Sequence, residues 1–448
     1  MEVLPSSLRA TLAVDLVVGL RAHGHKAYLV GGCVRDRLLG VTPKDFDIAT
    51  DAKPVQIAEY FPQARMVGAK FGVVIVGQGE ASVEVATFRS DGVYSDGRRP
   101  DEVRFESDPA WDARRRDFTI NGLMEDPVSG EILDYVGGRA DLAAGIIRAI
   151  GDPNQRFRED HLRMLRAIRF AARLHFAIEP ETLAAIRRDA PRISEISAER
   201  IREELVKILT EGVAGSGFEL LDSSGLLTEI LPEIKAFQGV EQPPEYHPEG
   251  DVWTHVMLML ERMQDPAPAL ALGVLLHDVG KPSTFRIAER IRFDGHAEVG
   301  AVMAKDILLR LRFSTEDVDQ VTSLVANHMR FKDVQRMRPS TLKRFLRLPF
   351  FDQHLELHRL DCLASNGRLD NYEFARAKQR ELGQEELRPA PLLTGLDLIQ
   401  AGYRPGPAFG EALSVVETAQ LDGEIHSRDE AFAIVRPILD RKQNEQIK

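Results

Sequence analysis

Two carboxylates at alternate positions, Asp45 and Asp47, follow the pair Gly31-Gly32 by about a dozen residues. On a strand, positions i and i+2 face the same side. Asp45 and Asp47 are therefore candidate catalytic ligands for one or two Mg²⁺ ions. Such ions activate an attacking hydroxyl and neutralise a departing pyrophosphate. Gly31 and Gly32 let the backbone approach a ligand, and the helix start behind them favours a phosphate. A phosphate site beside a carboxylate-metal site is what nucleotidyl transfer needs. Glu84, on a later alternating run, is a candidate third acidic ligand.

Cations to hold a nucleotide lie nearby in sequence. Arg35-Asp36 follows the glycines, and a guanidinium there can clamp phosphate oxygens bidentately. Arg114-Arg115-Arg116-Asp117 precedes Phe118-Thr119-Ile120-Asn121, which reads as an apolar strand. Arg158 to Phe170 reads as one helix, with Leu162, Leu165, Ile168 and Ala172 as its buried stripe. Asp160 and Arg163 are three apart and share a face. A carboxylate beside a guanidinium offers an acceptor and a donor to a base edge, with Glu159 available to hold the arginine. Arg156, Arg158, Arg163, Arg166, Arg169 and Arg173 make this segment a local basic lining, so Arg166 and Arg169 join the nucleotide-binding candidates. A second basic run, 330–347, sets seven cations against Asp333 alone.

A separate constellation comprises His255, His277-Asp278-Val279-Gly280-Lys281, His296, His328 and Asp361. Imidazoles and carboxylates suit divalent transition ions. His-Asp at the end of the apolar run Leu270–Leu276 is a candidate second metal site.

The elements that must position these groups divide the chain. Residues 1–25 read as an amphipathic helix ending near Gly24. Short strands are expected at Ala27–Val30, Phe46–Ile48, Val73–Val76, Val83–Phe88 and Ile132–Tyr135, the fourth alternating as a half-buried strand does. From 157 onward nearly everything has helical period, broken by Gly and Pro clusters at 212–217, 243–250, 386–395 and 402–410. The expected fold class is α+β: a mixed-sheet head over 1–150, then an all-α neck over 151–240, body over 245–370 and tail over 385–448. At 448 residues the chain is long for one core.

Composition narrows the function. A net charge of −11 argues against a protein that coats nucleic acid non-specifically. A substrate gripped at one end needs only a local basic lining. No apolar run approaches 18 residues, so no membrane span is expected. The first residues lack the basic-then-apolar pattern of a secretion signal. Cys33 and Cys362 lie far apart, which fits a reducing cytoplasm.

Gly31-Gly32-Cys33-Val34-Arg35-Asp36 with Asp45-Phe46-Asp47 resembles the first signature of the class II tRNA nucleotidyltransferase and bacterial poly(A) polymerase family, within the polymerase β superfamily. Arg115-Arg116-Asp117-Phe118-Thr119-Ile120-Asn121 resembles its second signature, and Glu159-Asp160 with Arg163 its Glu-Asp-x-x-Arg motif. The resemblance implies a five-stranded-type nucleotidyltransferase head with Mg²⁺ on Asp45 and Asp47. It implies that Arg116 and Asp117 read the sugar and phosphates, and that Asp160 and Arg163 read the base. CTP, ATP and a tRNA 3′ end are the implied partners, with no obligate protein partner. Phe88 to Pro100 resembles the loop that remodels the pocket for ATP. Met66 to Val73 lacks the Arg-Arg-Phe-x-x-x-His type of run found in poly(A) polymerases, so addition of CCA, or of the terminal A, is favoured. Poly(A) synthesis is the alternative. The histidine set resembles the HD phosphohydrolase superfamily. That implies His255, His277, Asp278 and Asp361 as core ligands, His296 and His328 as extras, and hydrolysis of phosphates at RNA 3′ ends. Residues 386–448 resemble the family's C-terminal region that holds the tRNA elbow.

Overall fold

The computed structural model describes residues 6–78, 81–92 and 102–445. They fold as two compact units, one of residues 1–235 with 310–312, the other of 236–309 with 313–448.

The first unit opens with helix α1, Ser6–Ala22. Strand β1 (Ala27–Val30) runs into Gly31 and the short helix α2 (Gly32–Leu38). Strands β2 (Asp47–Thr50), β3 (Ala64–Gly68), β4 (Val73–Gln78) and β5 (Ala81–Thr87) follow. The hairpin β6 (Arg89–Asp91) and β7 (Val103–Phe105) comes next. Helix α3 (Pro109–Arg114) precedes β8 (Met124–Glu125) and β9 (Ile132–Leu133). The main sheet has seven strands in the order β3-β4-β5-β2-β1-β8-β9. Five were expected, the last of them where β9 lies; the two not expected are β3, whose burial does not alternate, and the two-residue β8, too short to show a period. In β5 the alternation is real: Ala81, Val83, Val85 and Thr87 face inward, and Ser82 and Glu84 outward. Parallel pairing of β2 with β5 sets Asp47 opposite Glu84. Val30, Ala49, Phe88, Ala113 and Met124 form a core against this sheet.

Helices α4 (Pro153–Glu159), α5 (Leu162–Leu174) and α6 (Ala198–Thr210) follow the head. Leu162, Leu165, Ile168 and Ala172 are buried, as their spacing requires. The helix does not run unbroken through 158–170, because Asp160 is extended at φ −153°, ψ 106° and separates α4 from α5. This half is not purely helical. Strands β10 (Ile146–Ile147) and β11 (Ala177–Ile178) pair in parallel.

The second unit is built on α7 (Val252–Glu261), α8 (Pro268–Leu276), α9 (His296–Arg310), α10 (Thr315–Asn327) and α11 (Phe351–Ala364). A hairpin, β12 (Arg286–Ile287) with β13 (Ile291–Arg292), interrupts them. Every residue from Ala269 to Leu276 is buried, so α8 is the central helix and ends at His277. A Cβ on Gly280 would sit 2.2 Å from the His296 carbonyl oxygen, so glycine is what lets this turn close on α9. The expected second basic lining is partly a packing face. Arg344 and Arg347 both pair with Glu417, at 2.7 and 2.6 Å.

Candidate active site and metal centre

A cleft of about 890 Å³ in the first unit collects the head's candidate residues. Asp47, at the start of β2, and Glu84, on β5, lie on its wall. Burial, and then the Glu84 carboxylate, push the Asp47 carboxyl up to about 6. Asp45 does not share a strand with it. It precedes β2, is exposed, and pairs with Arg9 at 2.9 Å. Gly31 has φ +75°, and a Cβ there would lie 2.9 Å from Arg116 Nη1 and 3.9 Å from Asp47 Oδ2. The missing side chain thus lets a guanidinium sit beside Asp47. Acid Asp47 and cation Arg116 converge on the bare Gly31 backbone, which is an arrangement for a triphosphate and a divalent ion together.

The second signature is a turn, not a strand: Thr119–Asn121 form one 3₁₀ turn. Its two arginines are held by Asp112, a fully buried residue that sequence reading missed. Arg115 Nη2 donates to Asp112 at 2.6 Å and Arg116 Nη2 at 3.1 Å. The i,i+3 and i,i+4 spacing from α3 to the residues just past its end was the available signal. Asp117 accepts from Asn121 Nδ2 at 3.0 Å and from Arg166 Nη2 at 2.6 Å. Burial alone would raise its carboxyl, but Arg166 and Asn121 hold it well below the usual carboxylate range. Asn121 in turn accepts from Arg35 Nη1 at 2.7 Å, and Arg35 Nη2 donates to Asp36 at 2.6 Å. The chain Arg35–Asn121–Asp117–Arg166 therefore ties both head signatures to α5.

Two expected contacts are corrected here. Arg35 is only 3% exposed in its side chain and is committed to Asp36 and Asn121, so it is a strut rather than an open clamp. Arg169 is likewise buried and pairs with Glu204 at 2.7 Å and Glu211 at 3.3 Å. Both guanidiniums, with that of Arg166, stack around the Phe170 ring.

Asp160 and Arg163 line the same cleft but do not pair. Arg163 Nη1 donates to Glu159 at 2.6 Å, the anchor expected of Glu159. Asp160 instead accepts two bonds from Arg200 on α6, at 3.1 and 2.8 Å. The break at Asp160 removes the helical register that would have joined them. Arg200 was not foreseen, and nothing local in sequence marks it. Most of the candidate ATP loop, residues 93–100, lies outside the described residues; its two ends pair as β6 and β7.

All six residues of the candidate second site converge in the second unit. His255, His277 and Asp361 form one donor set, and Asp278, His296 and His328 another, each with ligand atoms within 4.8 Å of one another. The histidines are aimed by their other nitrogens. Nδ1 of His277, His296 and His328 donates to the carbonyls of Val274, Phe293 and Val325, at 2.9, 2.8 and 2.6 Å. A carbonyl can only accept, so the neutral rings of His296 and His328 present Nε2 as a lone pair, while Nε2 of His277 lies 3.1 Å from Asp278 Oδ2. Nε2 of His296 and His328 then face each other at 3.2 Å, with Asp278 Oδ1 3.6 and 3.7 Å away. Two facing lone pairs beside a carboxylate fit a cation. Burial, and then His277, push His328 down to about 3, so it stays neutral. Burial opposes protonation of His255 as well, but Asp361 and Glu249 outweigh it and raise it to about 9. His255 Nε2 lies 3.2 Å from Asp361 Oδ1 without hydrogen-bond alignment.

Residues missed at this site are His247 and Glu249, and the run's Lys281 joins them in contact with it. Glu249 Oε1 accepts from Nδ1 of both His255, at 2.6 Å, and His247, at 2.9 Å. Lys281 Nζ forms an ion pair with Asp278 Oδ2 at 2.6 Å and donates to Gln242 Oε1 at 2.6 Å. Lys281, four residues after His277, was legible as part of the run. The loop residues His247 and Glu249 were not.

Comparison with known proteins gives three family matches. Residues 27–148 match the poly A polymerase head domain, 175–238 the probable RNA and SrmB-binding site of polymerase A, and 251–352 the HD domain. Curated relatives include the CCA-adding enzyme of Lactobacillus johnsonii, 38% identical over 58% of this chain and 66% of that protein. Another is that of Geobacillus stearothermophilus, 44% identical over 48% of this chain and 53% of that protein. The chain thus aligns with about half to two thirds of the length of these relatives. A crystal structure of the Bacillus stearothermophilus CCA-adding enzyme with CTP superposes with TM-score 0.73 at 27% identity, over 100% of this chain and 99% of that one. The fold also matches the Thermotoga maritima CCA-adding enzyme, at TM-score 0.57 and 21% identity, over 96% of this chain and 95% of that one. No helix among the described residues is long and apolar enough to cross a membrane.

Proposed function

Because this chain belongs to the tRNA nucleotidyltransferase and poly(A) polymerase family, we propose that it adds CCA, or its terminal A, to the 3′ end of tRNA. CTP and ATP are the donors, and pyrophosphate is released. The observation that carries this reading is the meeting of Asp47, Arg116 and the bare Gly31 backbone in a cleft that Asp160 and Arg163 also line.

Asp45 and Asp47 hold Mg²⁺, with Glu84 alongside. An Asp47 that binds a proton up to about pH 6 without a cation is one whose charge a cation would satisfy. Bound Mg²⁺ supplies charge neutralisation at the attacking and leaving oxygens. Arg116 and the Gly31-Gly32 backbone orient the triphosphate. Asp117, kept ionised and immobile by Arg166 and Asn121, holds the sugar side. Asp160 and Arg163 present acceptor and donor atoms to the base, each fixed by its own partner, so no template is required. Arg35 and Arg169 stiffen the wall. Two free cysteines, Cys33 and Cys362, suit the cytoplasm as the place of work.

A second reading stands beside the first, favoured by the facing Nε2 atoms of His296 and His328. The second unit hydrolyses a phosphate ester that blocks an RNA 3′ end. Water adds to phosphorus, the P–O ester bond breaks, and the released oxygen takes the proton that water gives up. A divalent transition ion on His255, His277, Asp278 and Asp361, with His296 and His328, supplies the polarisation of that water.

The test supplies Mg²⁺ with labelled CTP or ATP to tRNA transcripts ending before CCA and after CC, beside an unstructured RNA. Addition stopping at CCA or at A supports the proposal, and Asp45→Asn or Asp47→Asn should abolish it. Long A tails on the unstructured RNA would instead make the chain a poly(A) polymerase.

A further inference from the structure

The cavity over the histidine–aspartate cluster is about 910 Å³ and reaches His296, His328 and Asp361 on its floor. Its mouth carries four cations: Arg290 and Arg292 of the β12–β13 hairpin, Lys332 and Arg368. Among the described residues none of the four has a carboxylate partner, and Arg292 Nε is buried without any partner. Asp294, on the same lining, is already paired with Arg286. Four cations without a carboxylate partner thus face three acids on this lining, Asp361, Asp370 and the paired Asp294, in a chain of net charge −11. Tyr246 lines the same cavity and is 45% exposed.

One phosphate needs one or two of these cations. The volume lies near the top of the range for small-molecule sites, about 300–1,000 Å³. Several unpaired cations and an exposed aromatic side chain on one cavity lining are the equipment for single-stranded nucleic acid, where phosphates track the charges and bases stack on the ring. We propose that this cavity receives the 3′-terminal nucleotides of a single strand. The terminal phosphate sits at the Nε2 cluster, and the preceding phosphodiesters lie along Arg290, Arg292, Lys332 and Arg368. Tyr246 is the stacking platform. The proposal deepens, and for the terminal phosphate rests on, the hydrolytic reading of the second unit.

The test uses the full chain with 3′-phosphorylated pentamers, one of RNA carrying 4-thiouridine and one of DNA carrying 4-thiothymidine. Crosslinks mapped by mass spectrometry should fall on peptides holding Tyr246 or the β12–β13 hairpin. The double charge reversal R290E/R292E should cut their yield several-fold and leave crosslinks within residues 27–235 unchanged. Tyr246→Ala, which leaves the hairpin untouched, should weaken them independently. Crosslinks confined to residues 27–235, or full yield in both variants, would overturn the proposal. Phosphate release with Mn²⁺ from the same RNA pentamer and from 3′-UMP separates the two readings. Crosslinks at the cavity without any release would sink the hydrolytic reading and leave the docking site standing. Release from the pentamer with an unchanged KM in R290E/R292E would sink the docking site alone.

Discussion

Gly31→Ala tests the head geometry at its tightest point. At φ +75° an L-residue costs about 1–2 kcal/mol. The larger effect is local, because the new Cβ would stand 2.9 Å from Arg116 Nη1, where ordinary contacts begin at 3.4 Å. The guanidinium must retreat by about half an ångström, and Asp112 resists because it holds Arg116 from the other side at 3.1 Å. Misplacement on that scale at a reacting phosphate costs on the order of 10–100-fold in rate. The measurement is single-turnover incorporation of AMP or CMP into tRNA by wild type, Gly31→Ala, Arg116→Ala and the double variant, with thermal melts to confirm folding. If the loss travels through Arg116, Gly31→Ala adds at most a few-fold in the Arg116→Ala background. Incorporation within twofold of wild type by Gly31→Ala, or an undiminished loss in the double variant, would refute the reasoning.

Three further outcomes are expected. Arg200→Ala frees Asp160 from its only bidentate partner, so discrimination against UTP and GTP should relax by about tenfold, read as incorporation ratios on a CC-ended tRNA; an unchanged ratio refutes the positioning. Glu249→Ala should weaken Mn²⁺ binding at the second site about 10–100-fold by releasing His255 Nδ1, and Glu249→Gln, which still offers an acceptor, should restore most of it in calorimetric titration; equal affinities for both variants would count against that role. His354, buried and pushed down by desolvation and Arg330 to about 4 from 6.5, stays neutral where an unfolded histidine is charged. Its contribution is therefore full above pH 6.5 and declines as pH falls toward 4, by about 3 kcal/mol at most. His354→Gln should flatten the loss of urea resistance between pH 7 and 5, and an equally steep loss in the variant would show that His354 is not its source.

Much of the chemistry was legible before folding because it is encoded in local periods and short motifs. Alternation exposed β5 and Glu84, the 3.6 period placed Leu162, Leu165 and Ile168 inward, and the run from His277 to Lys281 marked the end of a buried helix. Partners were less legible wherever they come from distant segments. Asp160 was expected to share a helix face with Arg163, three residues away, and is held by Arg200, forty residues away. Arg35 and Arg169 looked like open clamps because a sequence shows charge but not burial, and burial is what turned them into struts. The two-residue strand β8 is too short to carry a period and is defined by the edges that β1 and β9 offer it. Sequence alone determined which groups are present and which local elements carry them, since dihedral preference and hydrophobic period act over a few residues. The tertiary structure decided which cations stay free and which lone pairs face one another, because charge pairing and desolvation are set by neighbours in space.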